Sequence, residues 1–234
     1  MLLDLKKISG HKLAASNGEI GHIKDFYFDD KTWAVRYLVV DAGSWLVGRE
    51  VLLTPHSLGR FDQKEKTLPV NLTRKQIENS PPIDAHRPVS RQYEENYYRH
   101  YGLPGYWEGG GVWGPADFPV PTRSSASELS RNYEYAAWDD IHLRSTEAVT
   151  DYQVEATDGP VGTVTSFLID DRTWTIREIV VEAGHWYSGK EVRITTAKVS
   201  NISYPESKVF VNLSKADMAE TADHGVAVAG RALR

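Results

Sequence analysis

The strongest constraint on the fold of this chain is an internal repeat, because two segments of its sequence align without a gap at one constant offset. The segment Asn17–Leu72 matches Asp158–Leu213, and about 21 of about 56 aligned pairs are identical. A solenoid unit has only about 20 to 45 residues, so a repeat of this length is typical of a duplicated domain. The sequence therefore predicts two copies of one small domain.

Each copy consists of short apolar segments separated by turn-forming residues. Asn17-Gly18 and Asp158-Gly159 favour tight turns, because both residue types in each dipeptide tolerate a positive φ. The nearly continuous apolar runs Val35–Asp41 and Ile176–Glu182 predict strands at the centre of a sheet. Short strands with regular turns and no helical crossovers indicate a closed antiparallel barrel, since closure leaves no exposed sheet edge.

A short helix is predicted at the end of each copy. Thr73 and Gln76 have the spacing of a capping box, and Ser214 with Asp217 is a weaker version of it. These boundaries predict a first barrel over residues 1–82, a connector over 83–138, a second barrel over 139–223 and a flexible tail over 224–234.

The connector differs in composition from both copies. Its segment Arg91–Tyr101 predicts a short helix with Tyr93, Tyr97 and Tyr101 on one stripe, and a Gly/Pro-rich aromatic stretch follows. Two interpretations are open. The rings pack back onto the barrels as an ordered connector, or they form a patch that binds a partner, because Tyr and Trp dominate interface hot spots.

Two tryptophans that recur between the copies are candidates for the same role. Both follow an Ala-Gly dipeptide that begins a loop, and a loop leaves a ring accessible to a partner. The predicted partner-binding residues are Trp45, Trp186, Tyr97, Tyr101, Tyr106, Trp107 and Trp113.

The residues do not predict a catalytic, cofactor or metal site. The chain has no cysteine, which excludes disulfides, thiolate metal sites and a cysteine nucleophile. Its histidines are not shared between copies: His22 aligns with Thr163 and His56 with Ala197. The acidic pair Asp29-Asp30 lacks the further oxygen ligands of a calcium loop and predicts a turn.

Charge and hydropathy narrow the class of partner. The net charge of -5 is not the electrostatic footprint of a nucleic-acid binder. No apolar run approaches the roughly 18 residues of a membrane span, and no signal peptide is visible at the N-terminus. We therefore expect a cytoplasmic protein, with any association with a membrane made through a partner.

Both copies resemble PRC-barrel domains. The resemblance rests on the Gly-x-Ile/Val-Gly openings at Gly18–Gly21 and Gly159–Gly162, the strand Arg36–Asp41, the return strand Val51–Leu53 and the closing Val70–Thr73. The family includes the cytoplasmic barrel of the photosynthetic reaction-centre H subunit and the C-terminal barrel of a ribosome-maturation factor. The resemblance implies two tandem six-stranded antiparallel β-barrels that serve docking rather than catalysis.

The sequence thus predicts a non-enzymatic adaptor or accessory protein that docks onto another protein. The resemblance implies a partner at a photosynthetic or electron-transfer membrane complex, and self-association is expected as a homodimer or as an intramolecular pair of barrels. The alternative is a regulator that binds a small molecule or an ion in the cleft between the two barrels.

Overall fold

A computed structural model describes residues 1–46, 48–81, 91–103, 105, 142–187 and 189–220. These residues are mainly β and divide into two compact units. The first unit combines Met1, Ile8–Ser145 and Asp171–Thr175, and the second combines Leu2–Lys7, Thr146–Asp170 and the residues from Ile176 onward. None of the helices in the described ranges has the length and apolarity required to cross a membrane.

The strands of the described residues are, in chain order, β1 (Leu2–Asp4), β2 (Lys12–Ala15), β3 (Gly18–Asp29), β4 (Val35–Asp41), β5 (Glu50–Leu53), β6 (Thr67–Val70), β7 (Leu143–Ser145), β8 (Gln153–Ala156), β9 (Gly159–Asp170), β10 (Thr175–Ala183), β11 (Glu191–Thr195), β12 (Val199–Ser203) and β13 (Lys208–Val211). The α-helices are α1 (Leu5–Ile8), α2 (Arg74–Glu78), α3 (Arg91–Tyr101) and α4 (Thr146–Val149), with a further helix at residues 215–220. Short 3-10 turns lie at Gly43–Leu46, Pro55–Ser57, His185–Tyr187 and Thr196–Lys198.

Each unit contains one mixed sheet. The first has the order β5-β4-β3-β2-β6, and β7 also pairs with β3. The second has the order β11-β10-β9-β8-β13-β12, and β1 also pairs with β9. The counterparts lie 141 positions apart, as shown by the starts of β3 at Gly18 and β9 at Gly159.

The prediction of purely antiparallel sheets is wrong, because β2 pairs parallel to β6 and β8 parallel to β13. The chain reverses direction at every strand from β2 to β5 and once more at the turn over residues 63–66, so β6 runs the same way as β2. The backbone ladders do not close either sheet among the described residues, although only the turn Thr196–Lys198 separates β11 from β12.

The two units exchange their first strands. In the second unit β1 pairs with β9, with Leu2 opposite Asp170, although β1 precedes the first copy of the repeat. In the first unit β7 pairs with β3, with Leu143 opposite Asp29, although β7 precedes the second copy. The two pairings use equivalent registers, so each copy takes the strand that belongs in sequence to the other.

The turns at Asn17 and Asp158 form where the sequence predicts them, but only the glycine of each dipeptide has a positive φ. Gly18 has a φ of 143°, but Asn17 is not among the residues with a positive φ. Its side chain instead accepts a hydrogen bond from the N–H of Arg74, with 2.9 Å between Oδ1 and N. Asp158 accepts the equivalent bond from Lys215 N–H at 3.0 Å. Each turn therefore holds the start of the closing helix of its own copy.

Candidate functional site

The helix α3 has the bounds predicted from the sequence and packs on the sheet of the first unit. Tyr97 is 0% exposed and Tyr98 is almost as deeply buried. Both rings pack with Tyr37, Val39 and Leu52 in one hydrophobic cluster. The face of β4 and β5 that would otherwise point to solvent is therefore covered by α3.

Hydrogen bonds fix the position of α3 on this face. The Tyr97 hydroxyl donates to the carbonyl oxygen of Leu52 at 3.0 Å and accepts from the N–H of Thr54 at 3.1 Å. The Tyr37 hydroxyl donates to Glu94 Oε1 at 2.7 Å, and Glu94 is 0% exposed. A buried carboxylate is costly unless it is hydrogen-bonded, so this contact favours one docked position of the helix.

The equivalent face of the second unit has charged residues at two of the three positions that contact α3 in the first unit. Tyr37 corresponds to Glu178 and Leu52 to Arg193, and the Arg193 side chain is exposed. Side chains alternate between the two faces of a strand, so Leu52 lies on the opposite face from Val51 and Leu53. It is nevertheless buried, because α3 covers that face in the first unit. The contrast between leucine and arginine at equivalent positions is the sequence signal that could have located the docking face of α3.

Two titratable groups of the same unit, His56 and Asp29, have shifted pKa values, and the Arg36 guanidinium acts on both. Burial lowers the pKa of His56 to about 4, and the nearby Arg36 guanidinium lowers it further in the same direction. Burial alone would raise the pKa of Asp29, but the N–H groups of Thr32 and Lys31 and the Arg36 guanidinium lower it below its ordinary value. At neutral pH His56 is therefore neutral and Asp29 is ionised.

We predict that His56 makes the stability of the chain dependent on pH. Between pH 6.5 and about 4 the unfolded chain binds a proton at His56 that the folded chain does not bind, so stability is lost as the pH falls. The loss attributable to this residue is about 3 kcal/mol. Urea unfolding at pH 7 and pH 4 should show that His56→Gln loses less stability than the wild type. An unchanged pH dependence in His56→Gln, equal to that of the exposed-histidine control His22→Gln, contradicts the prediction.

Trp45 lies on an exposed 3-10 turn, Gly43–Leu46, in which no residue is buried. Its indole N–H donates to the carbonyl oxygen of Ile20 at 2.8 Å. The guanidinium of Arg74 lies over its ring, 4.4 Å from the centroid. The half-buried ring is thus held in one orientation beside a cation.

Tyr101 lies at the end of α3 beside the loop that follows Trp45. Burial raises the pKa of Tyr101 to about 12, while the Ser80 hydroxyl and the Arg49 guanidinium act in the opposite direction. Arg49 donates to the carbonyl oxygen of Ser80, which places the end of that loop next to the end of α2. Tyr101 therefore stays protonated over the physiological range and can donate a hydrogen bond.

The predicted partner-binding residues differ in their burial and in whether the structure describes them. Tyr97 is buried against the first unit and Tyr101 is half-buried beside it, whereas Trp45 lies on an exposed turn. The backbone of Trp186 lies on the equivalent turn His185–Tyr187, and the structure does not describe the side chain of Trp186. The remaining members of the set lie outside the described residues, namely Tyr106, Trp107 and Trp113.

The two adjacent acids of the first copy point to different partners. Asp29 Oδ1 accepts hydrogen bonds from the N–H groups of Lys31 and Thr32, both at 2.9 Å. Asp30 pairs with Arg144 through Nε at 2.7 Å and with His142 at 3.0 Å. Across the ranges that the structure describes, no group of three or more His, Cys, Asp or Glu side chains could hold a metal ion.

Comparison with known families identifies the first copy of the repeat. The model of the PRC-barrel domain family matches residues 6–77, which span β2 to β6 and most of α2. No curated protein matches the chain.

Proposed function

We propose that this chain, whose residues 6–77 match the PRC-barrel domain family, is a non-enzymatic adaptor that binds another protein. The observation that carries the proposal is the exposed turn with Trp45. A PRC-barrel domain suggests a protein-interaction module, and this turn offers it an oriented tryptophan on the surface.

The surroundings of Trp45 suit an interface hot spot. Tryptophan and arginine are enriched at such positions, and both are present here in contact. The hydrogen bond from the indole to Ile20 fixes the ring before binding, so little side-chain entropy remains to be lost. The Arg74 guanidinium adds a cation, which favours a partner that presents a carboxylate beside an apolar side chain.

The second unit is proposed to be a second PRC-type barrel. Its strands β8 to β11 and β13 repeat β2 to β6 at the same spacing, including the parallel pair of β8 and β13, and β12 is an additional strand. Its 3-10 turn also carries an aromatic ring next to a cation, because Lys190 Nζ lies 5.0 Å from the centroid of the Tyr187 ring. An adaptor of this kind has two related binding loops.

The partner class that follows from the family resemblance is a protein of a photosynthetic or electron-transfer membrane complex. The chain itself is proposed to be cytoplasmic and to reach a membrane only through that partner. Self-association and the binding of a small molecule or ion are the competing outcomes that an experiment must separate from adaptor function.

We predict that Trp45→Ala removes binding of the partner. The purified full-length chain is used to capture proteins from an extract of its native cells, and bound protein is quantified by mass spectrometry. Loss of a hot-spot tryptophan costs at least about 2 kcal/mol, which corresponds to roughly thirtyfold weaker binding. Tyr204→Ala is the control, since Tyr204 is an aromatic residue at the surface of the other unit, in the turn that follows β12.

The proposal requires one protein to be captured by the wild type and by Tyr204→Ala and lost from Trp45→Ala, with equal thermal stability of the three chains. Equal capture by all three variants contradicts it. A bound metabolite in native mass spectra, without any captured protein, supports the regulator instead.

A further inference from the structure

The strand exchange creates two binding sites for an extended strand, one at the edge of β3 and one at the edge of β9. At the first site Ser145 of β7 donates its hydroxyl proton to Asp25 Oδ2 at 2.5 Å. At the second site the Ser166 hydroxyl of β9 donates to the Asp4 carboxylate of β1. The acid therefore lies on the sheet in one site and on the incoming strand in the other.

In each pair, the residue that belongs to the long strand, β3 or β9, is buried. Asp25 is 6% exposed and Ser166 is 5% exposed. Asp25 Oδ1 accepts the N–H of Phe26 at 2.7 Å, and the N–H of Lys6 donates to Asp4 Oδ1 at 3.1 Å. Buried polar groups of this kind discriminate strongly between a complementary neighbour and a repulsive one.

Without exchange, the same residues would be poorly matched. Because the two pairings share one register, β1 placed on its own copy would bring Asp4 to the position of Ser145, next to Asp25. Two carboxylates would then share one sheltered site, and like charges across a strand pair are destabilising. In the other copy two hydroxyls, those of Ser145 and Ser166, would meet without a carboxylate to accept from them.

A second contact favours β7 over β1 at the edge of β3. Arg144 of β7 donates from Nε to Asp30 Oδ2 at 2.7 Å. The residue of β1 at the equivalent position is Leu3, which is apolar and could not pair with Asp30. The edge of β3 is thus suited to β7 and unsuited to β1.

We infer that these side chains make the two edges selective: the edge of β3 binds a strand that carries a hydroxyl, and the edge of β9 binds a strand that carries a carboxylate. The occupant of each edge is the first strand of the unlike copy. This selectivity is independent of the adaptor function proposed above, because it concerns how the chain assembles and not what it binds.

Engineered disulfides can test which strand occupies the edge of β9, since the chain has no cysteine of its own. Opposed residues of antiparallel strands lie within the range of Cα separations that a disulfide spans. Leu2→Cys with Asp170→Cys reports exchange, and Leu143→Cys with Asp170→Cys reports a copy that keeps its own strand. The disulfides formed under mild oxidation are identified by peptide mapping of the full-length chain.

In the otherwise wild-type chain we expect the 2–170 disulfide, within one chain or between two, and no 143–170 disulfide. Asp25→Ser with Ser166→Asp should invert this preference and change the ratio of the two disulfides by at least about tenfold. Adding Asp4→Ser and Ser145→Asp to that variant restores complementarity between unlike copies and should restore the 2–170 disulfide.

The inference is overturned if Asp25→Ser with Ser166→Asp still forms the 2–170 disulfide in preference to the 143–170 disulfide. It is also overturned if the fourfold variant fails to recover the 2–170 disulfide. The fourfold variant keeps the test decisive even where the twofold variant does not fold, because its recovery of folding and of the 2–170 disulfide is then the required result.

Discussion

Replacement of Gly162 by alanine is expected to prevent the second unit from folding. A Cβ atom at this position would lie 1.9 Å from the carbonyl oxygen of Glu182 and 2.9 Å from the Cα of Ala183. Both are backbone atoms of β10, which is hydrogen-bonded to β9 and β11 and cannot move aside. We expect the free energy of unfolding to fall by at least about 4 kcal/mol.

The expected effect of Gly162→Ala comes from a steric clash with the neighbouring backbone and not from an unfavourable φ at Gly162 itself. Gly162 does not have a positive φ, so the clash alone is responsible. Gly21, its counterpart, would place a Cβ at the same 1.9 Å from the carbonyl oxygen of Asp41. The last glycine of the Gly-x-Ile/Val-Gly opening is therefore required in both copies, because its backbone lies against the end of the next strand, β4 or β10.

Gly184→Ala is the matched control in the same unit, because its Cβ would be 3.6 Å from the nearest atom, the carbonyl oxygen of Val161. Denaturant unfolding followed by near-ultraviolet circular dichroism should show a change of less than about 1 kcal/mol for this control. A midpoint for Gly162→Ala equal to that of Gly184→Ala would refute the steric account.

Replacement of Tyr97 by alanine is expected to release α3 from the first unit. The change removes a fully buried ring and both hydrogen bonds of its hydroxyl, to Leu52 and Thr54. Truncation of a buried aromatic side chain costs about 3 to 5 kcal/mol. Hydrogen exchange measured by mass spectrometry should show lost protection over Arg91–Tyr101, and urea unfolding should report the lower stability.

Two further variants separate the contributions to this effect. Tyr97→Phe keeps the ring and loses the hydroxyl, so it should cost only about 1 to 3 kcal/mol. Tyr204→Ala removes an exposed ring and should be nearly neutral. If Tyr97→Ala is as stable as Tyr204→Ala, α3 does not contribute to the first unit in the way the packing indicates.

Much of the local structure could be predicted from the sequence, because it depends on short-range chemistry. The capping box of Thr73 with Gln76 forms, and Ser214 with Asp217 makes the equivalent contacts. The apolar runs form β4 and β10, each between two neighbouring strands. The turn at Asp29 also follows from its residue type, since its carboxylate binds its own backbone.

The strand exchange could not be predicted in this way. Periodicity identifies a strand but does not say which edge it joins, and the residues that decide this are far apart in sequence. Asp25 meets Ser145 and Ser166 meets Asp4 only in the folded chain. The parallel pairing of β2 with β6 was missed for a similar reason, because it depends on the number of reversals along the whole copy.

The candidate site was predicted only in part. The helix bounds Arg91–Tyr101 were correct, but the buried face includes Glu94 and Tyr98, which a stripe of tyrosines four residues apart does not contain. The buried Glu94 accepts a hydrogen bond from the hydroxyl of Tyr37, which lies on β4. A helical pattern by itself carries no information about that partner.

Photo-crosslinking from the turn that carries Trp45 tests the central claim, that this chain is a protein-binding module, most directly. A photoreactive phenylalanine derivative is introduced in place of the exposed Ser44, which leaves Trp45 intact, in the full-length chain in its native cells, and the same residue is introduced at position 204 as the control. The adaptor account predicts a covalent adduct with one other protein from position 44 and none from position 204. No adduct from position 44, or the same adducts from both positions, would contradict it.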